Sequence, residues 1–281
     1  MLPVEDNDSP MTLPAAARFV LIACALAAAG FAALLAVLWF VQERLLFFPT
    51  PLPANATLSL DRDVQERSVE VPGARLSVLE LRLPDPSGVV FFLHGNGGNL
   101  ASWFVNTDFY RRANVDLVML DYRGYGKSTG RIESEAQLHA DVATVWREVA
   151  PRYRCKHRVF YGRSLGSGLA AALAANEQPD LTVLVSPYES LVALARQHYP
   201  WVPEAVLRYR LRTDQALPAI HGPVLLMHGD RDTLIPPAHS EALLARSPTA
   251  RRVLVPGAAH NDLQDFPVYR QALAEALATL R

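Results

Sequence analysis

Ser164 stands in Gly162-Arg163-Ser164-Leu165-Gly166, between the apolar run Val159-Phe160-Tyr161 and the Ala/Leu-rich stretch Leu169 to Asn176. A serine at such a strand-to-helix junction sits on a turn too tight for bulky neighbours. Gly162 and Gly166 supply the space, and the hydroxyl projects clear of the backbone. The helix ahead aims its unpaired N–H groups and positive dipole end at the same spot. A hydroxyl is a weak nucleophile at neutral pH and needs partners. An imidazole, with a pKa of about 6.5, can take its proton and return it to a leaving group. A carboxylate then fixes the imidazole's tautomer and steadies the imidazolium. Both types follow downstream. Val224–Met227 leads into His228-Gly229-Asp230-Arg231-Asp232, and Arg252–Val255 into Gly257-Ala258-Ala259-His260. His260 is the best placed of the eight histidines. Asp230 and Asp232 compete for the acid, since either could serve and Asp230 can instead close the turn through an Asx contact. Serine, acid and histidine in this order, each after a strand, is one known triad arrangement.

The elements that must hold these residues are legible as alternation. Strand-like runs occupy Leu76–Leu83, Val89–Leu93, Val115–Leu120, Val159–Tyr161, Leu181–Val185, Val224–Met227 and Arg252–Val255. Between most of them lie helical stretches such as Ser134 to Val149, with Ser134 and Gln137 at capping-box spacing. Leu138, Val142, Val145, Trp146 and Val149 make one apolar stripe on it. Strands alternating with amphipathic helices predict a mostly parallel sheet covered on both faces, with working residues at the strands' carboxyl ends. At one such end, His94-Gly95-Asn96-Gly97-Gly98-Asn99 is a Gly-rich loop whose N–H groups can donate to an oxyanion. At another, Asp121-Tyr122-Arg123-Gly124-Tyr125-Gly126-Lys127-Ser128 contains Gly-Lys-Ser, but a P-loop would need glycine at position 121. That loop is read as structural, braced by Tyr122 and Arg123.

Half of the 281 residues are hydrophobic, enough for a large core, and the net charge is −1. No run of Lys or Arg exceeds two residues, so a nucleic-acid footprint is missing. Cys24 lies in an apolar run and Cys155 is alone in the rest, which rules out an internal disulfide of the globular part. There is no Cys/His cluster at zinc spacing, and nothing calls for a metal or organic cofactor. Residues 1–18 read as a polar, proline-containing tail. Phe19 to Val41 then runs 23 residues without a charge or proline, enough to cross a bilayer as a helix. The run is too long and its start too acidic for a cleaved signal peptide. Too few apolar residues precede Leu21-Ile22-Ala23-Cys24 for a lipoprotein signal. An uncleaved membrane anchor is therefore expected. Arg18 and Arg44 balance across it, so its orientation is not set by charge. Residues 42–64 form a proline-punctuated connector, 65–281 one domain, and 187–222 a small lid within it.

Gly162–Gly166, the His94-Gly95 loop, His228–Asp232 and His260 together resemble an α/β-hydrolase, over roughly Gln65 to Arg281. Within that superfamily the chain resembles the BEM46-like membrane-anchored serine hydrolases. The features that carry this are the leading span, Leu46-Phe47-Phe48-Pro49, the Asp121–Ser128 segment and Ser186-Pro187-Tyr188. The resemblance implies Ser164 as nucleophile, Asp232 as acid and His260 as base, with the backbone N–H groups of Leu165 and Asn96 as oxyanion donors. Asn96-Gly97 stands where many lipases carry further glycines. It further implies an acyl-enzyme route to hydrolysis of carboxylic esters or thioesters, of acyl-lipid or acyl-protein type. Tyr188, Tyr199 and Trp201 in the lid would then line an apolar acyl pocket. The expected partners are the lipid bilayer and the ester substrate, with no nucleic acid; the oligomeric state is left open. Three alternatives stand beside it: a non-catalytic membrane-tethered scaffold, a cofactor-free haloperoxidase, and a peptidase, which lacks an obvious charged selectivity pocket.

Overall fold

A computed structural model describes residues 14–280. The apolar stretch near the N-terminus is a single helix, α1 (Ala15–Leu46), extending past both ends of the uncharged run. Ala15, Ala16 and Ala17 favour the early start, alanine having the highest helix propensity. The tail expected over residues 1–18 therefore lies outside the described residues as far as position 13, and Ala15–Arg18 are helix. Among the described residues α1 alone is long and apolar enough to cross a membrane. Its most apolar 18-residue window has a mean hydropathy of 2.6, and none of that window is buried.

From Glu43 onward the chain forms the unit that carries the candidate site. Its strands are β1 (Val64–Val71), β2 (Ala74–Leu81), β3 (Gly88–Leu93), β4 (Val115–Leu120), β5 (His157–Arg163), β6 (Leu181–Val185), β7 (Val224–Gly229) and β8 (Ala250–Val255). Its helices are α2 (Leu100–Trp103), α3 (Thr107–Ala113), α4 (Glu135–Val149), α5 (Leu165–Glu177), α6 (Leu191–His198), α7 (Thr213–Ala216), α8 (Ala238–Leu244) and α9 (Pro267–Ala278). One sheet runs β1-β2-β4-β3-β5-β6-β7-β8. β1 and β2 pair antiparallel, as do β2 and β4. All later neighbours are parallel, which is the predicted mostly parallel sheet flanked by helices.

Every residue of β3, β4, β6 and β7 is buried, as expected for central strands covered on both faces. Two apolar clusters result. Val89, Phe91, Trp146, Phe160 and Leu184 lie in one, and Val90, Tyr161, Val183, Leu225 and Leu273 in the other. The helix expected from Ser134 is α4, and the Ser134 hydroxyl accepts from the Gln137 N–H at 3.1 Å. The returning arm lands one residue earlier than in a capping box, because Gln137 Oε1 accepts from the Glu133 N–H.

β1 carries no strand signal of its own in the sequence. Its Gln-Glu-Arg start reads as loop, since an edge strand exposes polar side chains and shows little apolar alternation. The parallel register matters most for the site. Gly162 is level with Leu93 and Leu184, Val185 with Arg163 and Met227, and Gly229 with Val255. The carboxyl ends of β3, β5, β6, β7 and β8 therefore finish together along one edge.

Candidate active site

Ser164 occupies the turn between β5 and α5 with φ 51° and ψ −118°, a conformation that costs a non-glycine residue about 1–3 kcal/mol. The chain tolerates this because its neighbours are packed without room to relax. A Cβ at Gly166 would lie 2.0 Å from the Leu93 carbonyl oxygen, and one at Gly162 would lie 2.4 Å from that of Gly166. These contacts seat the head of α5 directly on the end of β3. The Ser164 N–H donates to the Val185 carbonyl and its carbonyl accepts from the Ser167 hydroxyl, so the backbone is fixed while the side chain is half-buried.

The structure brings His260 to Ser164 across 96 residues of chain, with Nε2 3.0 Å from the Ser164 Oγ. The other ring nitrogen, Nδ1, is 2.7 Å from the Asp232 Oδ2. A carboxylate can only accept, so Nδ1 carries the hydrogen and Nε2 presents its lone pair to the serine hydroxyl. Asp232 is buried, and its Oδ1 accepts from the Leu234 and Ile235 N–H groups at 3.0 and 2.8 Å. Burial alone would raise this carboxyl. Hydrogen bonds from His228, His260 and the Ile235 N–H outweigh it and hold the group well below the usual carboxylate range. Asp230, the competing acid, sits elsewhere. Its Oδ1 accepts from the Gly257 N–H at 2.7 Å and braces the turn after β8.

Two neighbours of this cluster had no role assigned from sequence. His228 is fully buried at the end of β7, its Nε2 2.7 Å from the Ile235 carbonyl and 3.3 Å from Asp232 Oδ2. A second imidazole N–H thus faces the carboxylate; the signal was the histidine opening His-Gly-Asp-Arg-Asp. Arg163 donates from Nη1 to Gln264 Oε1 and from Nη2 to the His260 carbonyl, and lies over the Trp103 ring at 5.4 Å. It clamps the segment that carries His260. Its position just before the serine was the available signal.

Leu165 is the first residue of α5, so its N–H belongs to the first turn, which a helix leaves without an intrahelical acceptor. Asn96 lies in the loop after β3, beside that helix start. Its side chain is committed on every side. Oδ1 accepts from the N–H groups of Phe48 and Gly97, both at 3.0 Å, and from the Tyr125 hydroxyl at 2.8 Å, while Nδ2 donates to the Leu46 carbonyl. Beneath the loop, His94 is fully buried with Nδ1 2.7 Å from the Gly95 carbonyl, which assigns the hydrogen to Nδ1. Its Nε2 has no hydrogen-bond partner among the described residues and stands 3.6 Å from Asp121 Oδ1. Burial lowers the His94 imidazole to about 4 against the pull of the Gly95 carbonyl. Burial likewise pushes the Asp121 carboxyl up to about 7, despite a hydrogen bond from the Leu100 N–H.

Tyr188, Tyr199 and Trp201 have different surroundings. Tyr188 is buried; its hydroxyl donates to the Leu165 carbonyl at 3.0 Å, and its ring end packs on Gly168, so it braces α5 from behind the turn. Tyr199 and Trp201 follow α6 and are 58% and 48% exposed, so neither is packed on the sheet as Tyr188 is packed on α5. Tyr122 and Arg123 brace as expected. The Tyr122 hydroxyl donates to the His94 carbonyl, and Arg123 forms a buried two-pronged pair with Asp141. No group of three or more His, Cys, Asp or Glu side chains is gathered as a metal site among the described residues.

Residues 84–212 match a family model described as serine aminopeptidase, S33; the matched stretch contains Ser164 and stops short of Asp232 and His260. An uncharacterized protein of Mycobacterium tuberculosis is 33% identical over 236 residues, covering 80% of this chain and 82% of that protein. Alpha/beta hydrolase domain-containing protein 17B of Xenopus laevis is 30% identical over 213 residues, covering 73% of this chain and 72% of that protein. Among solved structures, an esterase of Pyrococcus furiosus superposes with a TM-score of 0.66 over 84% of this chain and 98% of its own, at 18% identity. Est1E of Butyrivibrio proteoclasticus with bound ferulic acid does so with a TM-score of 0.62 over 76% of this chain and 96% of its own, also at 18% identity. These structural likenesses are of fold.

Proposed function

The chain belongs to the α/β-hydrolase superfamily, and on that premise we propose that it is a serine hydrolase, anchored in a membrane by α1, that cleaves long-chain carboxylic esters or thioesters. One observation carries the proposal: the unbroken line from Asp232 Oδ2 through His260 to Ser164 Oγ, at 2.7 and 3.0 Å. In this reading Ser164 Oγ attacks the substrate carbonyl as its proton passes to His260 Nε2. Asp232 keeps the imidazole oriented and stabilises the positive charge it acquires. The tetrahedral oxyanion accepts from the backbone N–H groups of Leu165 and Asn96, each such donor contributing on the order of a hundredfold in rate. Collapse expels the alcohol or thiol, which takes its proton from His260. Water, activated by the same imidazole, then hydrolyses the acyl-serine and releases the acid.

The substrate class rests on surface character. Exposed Tyr199 and Trp201 after α6, together with exposed Leu234 near His198, suit an acyl chain better than a charged group. A second reading, hydrolysis of an N-terminal peptide bond, is favoured by the description of the matched family model; the same serine would perform it.

The test is turnover by the full chain in detergent micelles. The substrates are p-nitrophenyl esters of increasing acyl length, acyl thioesters and aminoacyl arylamides. The expected result is hydrolysis that rises with acyl length and is abolished in Ser164→Ala. Preference for short esters would overturn the acyl-chain assignment, and turnover of arylamides alone would establish the peptidase reading instead.

A further inference from the structure

The last turn of α1 and the segment that follows it do not behave as a spacer. Phe47 is buried in the core and meets the Tyr209 ring edge-on at 5.1 Å. The Glu43 carboxylate accepts from the Tyr209 hydroxyl at 2.8 Å and pairs with Arg208 at 2.7 Å. Beyond this anchorage the chain runs alongside the two loops at the carboxyl ends of β3 and β4. Pro49 pairs with Gly98 and Pro51 with Gly126 as isolated parallel bridges. Thr50 N–H donates to the Gly98 carbonyl at 3.2 Å and Leu52 N–H to the Gly126 carbonyl at 2.7 Å. The Thr50 carbonyl accepts from the Gly126 N–H and from Asn99 Nδ2.

The loop that receives these bonds is poorly equipped to hold itself. Gly97 and Gly98 are consecutive, both with φ above +70°, and have no side chains to lock them. The helix that follows ties the loop at Gly97, through Trp103 Nε1 at 2.9 Å, and at Asn99, through a capping box with Ser102. Asn96 gathers ties from outside the loop, from Leu46, Phe48 and Tyr125. Of the four hydrogen bonds its side chain makes, two go to the backbone of Leu46 and Phe48. The residue that offers its backbone N–H to the oxyanion is therefore fastened by its side chain to the segment arriving from α1.

We propose that residues Leu46–Leu52 form a strap that positions the oxyanion site, with the Asn96 side chain as its junction. This inference rests on the serine-hydrolase reading above. The strap touches no reacting atom; it acts by fixing where the Asn96 N–H points. A displacement of about 1 Å at such a donor can cost on the order of a hundredfold in rate, so even partial release of the loop is measurable.

Two substitutions in the full chain separate the strap from general stability. Asn96→Ala keeps the backbone N–H at 96 and deletes the junction. Thr50→Pro removes the N–H that reaches Gly98 from the strap side, at a site already flanked by Pro49 and Pro51. Fluorophosphonate labelling run to completion counts the competent sites, and turnover of a long-chain ester is expressed per labelled site. Both variants are expected to lose at least about tenfold in kcat with KM within about twofold of wild type. Inhibition by a trifluoromethyl ketone, which forms a tetrahedral adduct, is expected to weaken in proportion. Wild-type kcat per labelled site in both variants would overturn the strap, as would a loss confined to KM. If wild type itself showed no turnover dependent on Ser164, the serine-hydrolase reading would fall first, and that result is distinct from either.

Discussion

At the scale of single residues, the site divides into side chains whose role follows from chemistry and side chains known only from their neighbours. Ser164 and His260 stood out as candidates in the sequence because few residue types can attack a carbonyl or shuttle a proton, and both follow strand-like runs. The choice between Asp230 and Asp232 was not decidable from spacing, since both lie within reach of the same turn. In the structure the two part company. Asp232 faces His260, while Asp230 holds the Gly257 N–H. Asp232→Asn is accordingly expected to cut kcat by on the order of 10⁴-fold, because an amide can place its own N–H against His260 and favour the wrong tautomer. Asp230→Asn keeps the oxygen that accepts from Gly257 and is expected to change kcat by less than about threefold. Steady-state kinetics on the two variants check the pair, and the opposite ranking would reassign the acid. His228 was invisible as a partner of Asp232 because its relevance depends on how the chain turns after β7, which no periodicity encodes.

At the scale of elements, the strands buried on both faces were legible, and so was the edge strand β8 from its Val253-Leu254-Val255 end, while the edge strand β1 was not. The runs that became β3, β4, β6 and β7 are continuous apolar stretches, whereas β1 is masked by Gln65, Glu66 and Arg67 on an edge. The loops at the strand ends show the same limit. That His94 and Asp121 share one buried space under the Gly-rich loop follows from β3 and β4 being parallel neighbours, a pairing that sequence order alone does not give.

The burial of Asp121 has a thermodynamic consequence. Asp121 titrates near 3.8 when unfolded and at about 7 in the fold, so between these values the native state holds a proton that the unfolded chain has lost. Its contribution is fully present below about 3.8 and declines as pH rises toward 7, by about 1.4 kcal/mol for each pH unit inside that window. Asp121→Asn keeps an oxygen for the Leu100 N–H and carries no charge. Its melting temperature relative to wild type is therefore expected to rise from pH 4.5 to pH 7.5 and then level off. A difference that stays flat across that range, measured by thermal melts in matched buffers, would mean that Asp121 is not protonated at neutral pH in the fold.

At the scale of the molecule, the fold class followed from alternation, since strand-helix-strand units with short connections can only build a sheet covered on both faces. What alternation could not supply is the parallel register that brings Ser164, Asp232 and His260 to one edge. The prolines of the connector mark it in the sequence as a link between elements. Its bonds to Asn96, Gly98 and Gly126 depend on a neighbour far away in sequence and leave no local trace. The central claim is that this edge carries one activated serine. The most direct measurement treats the full chain in micelles with a fluorophosphonate and locates the adduct by peptide mass mapping. The account predicts one adduct, on Ser164, absent from Ser164→Ala and slowed by orders of magnitude in His260→Ala. A folded wild-type protein that remained unmodified, or carried its adduct on another residue, would contradict it.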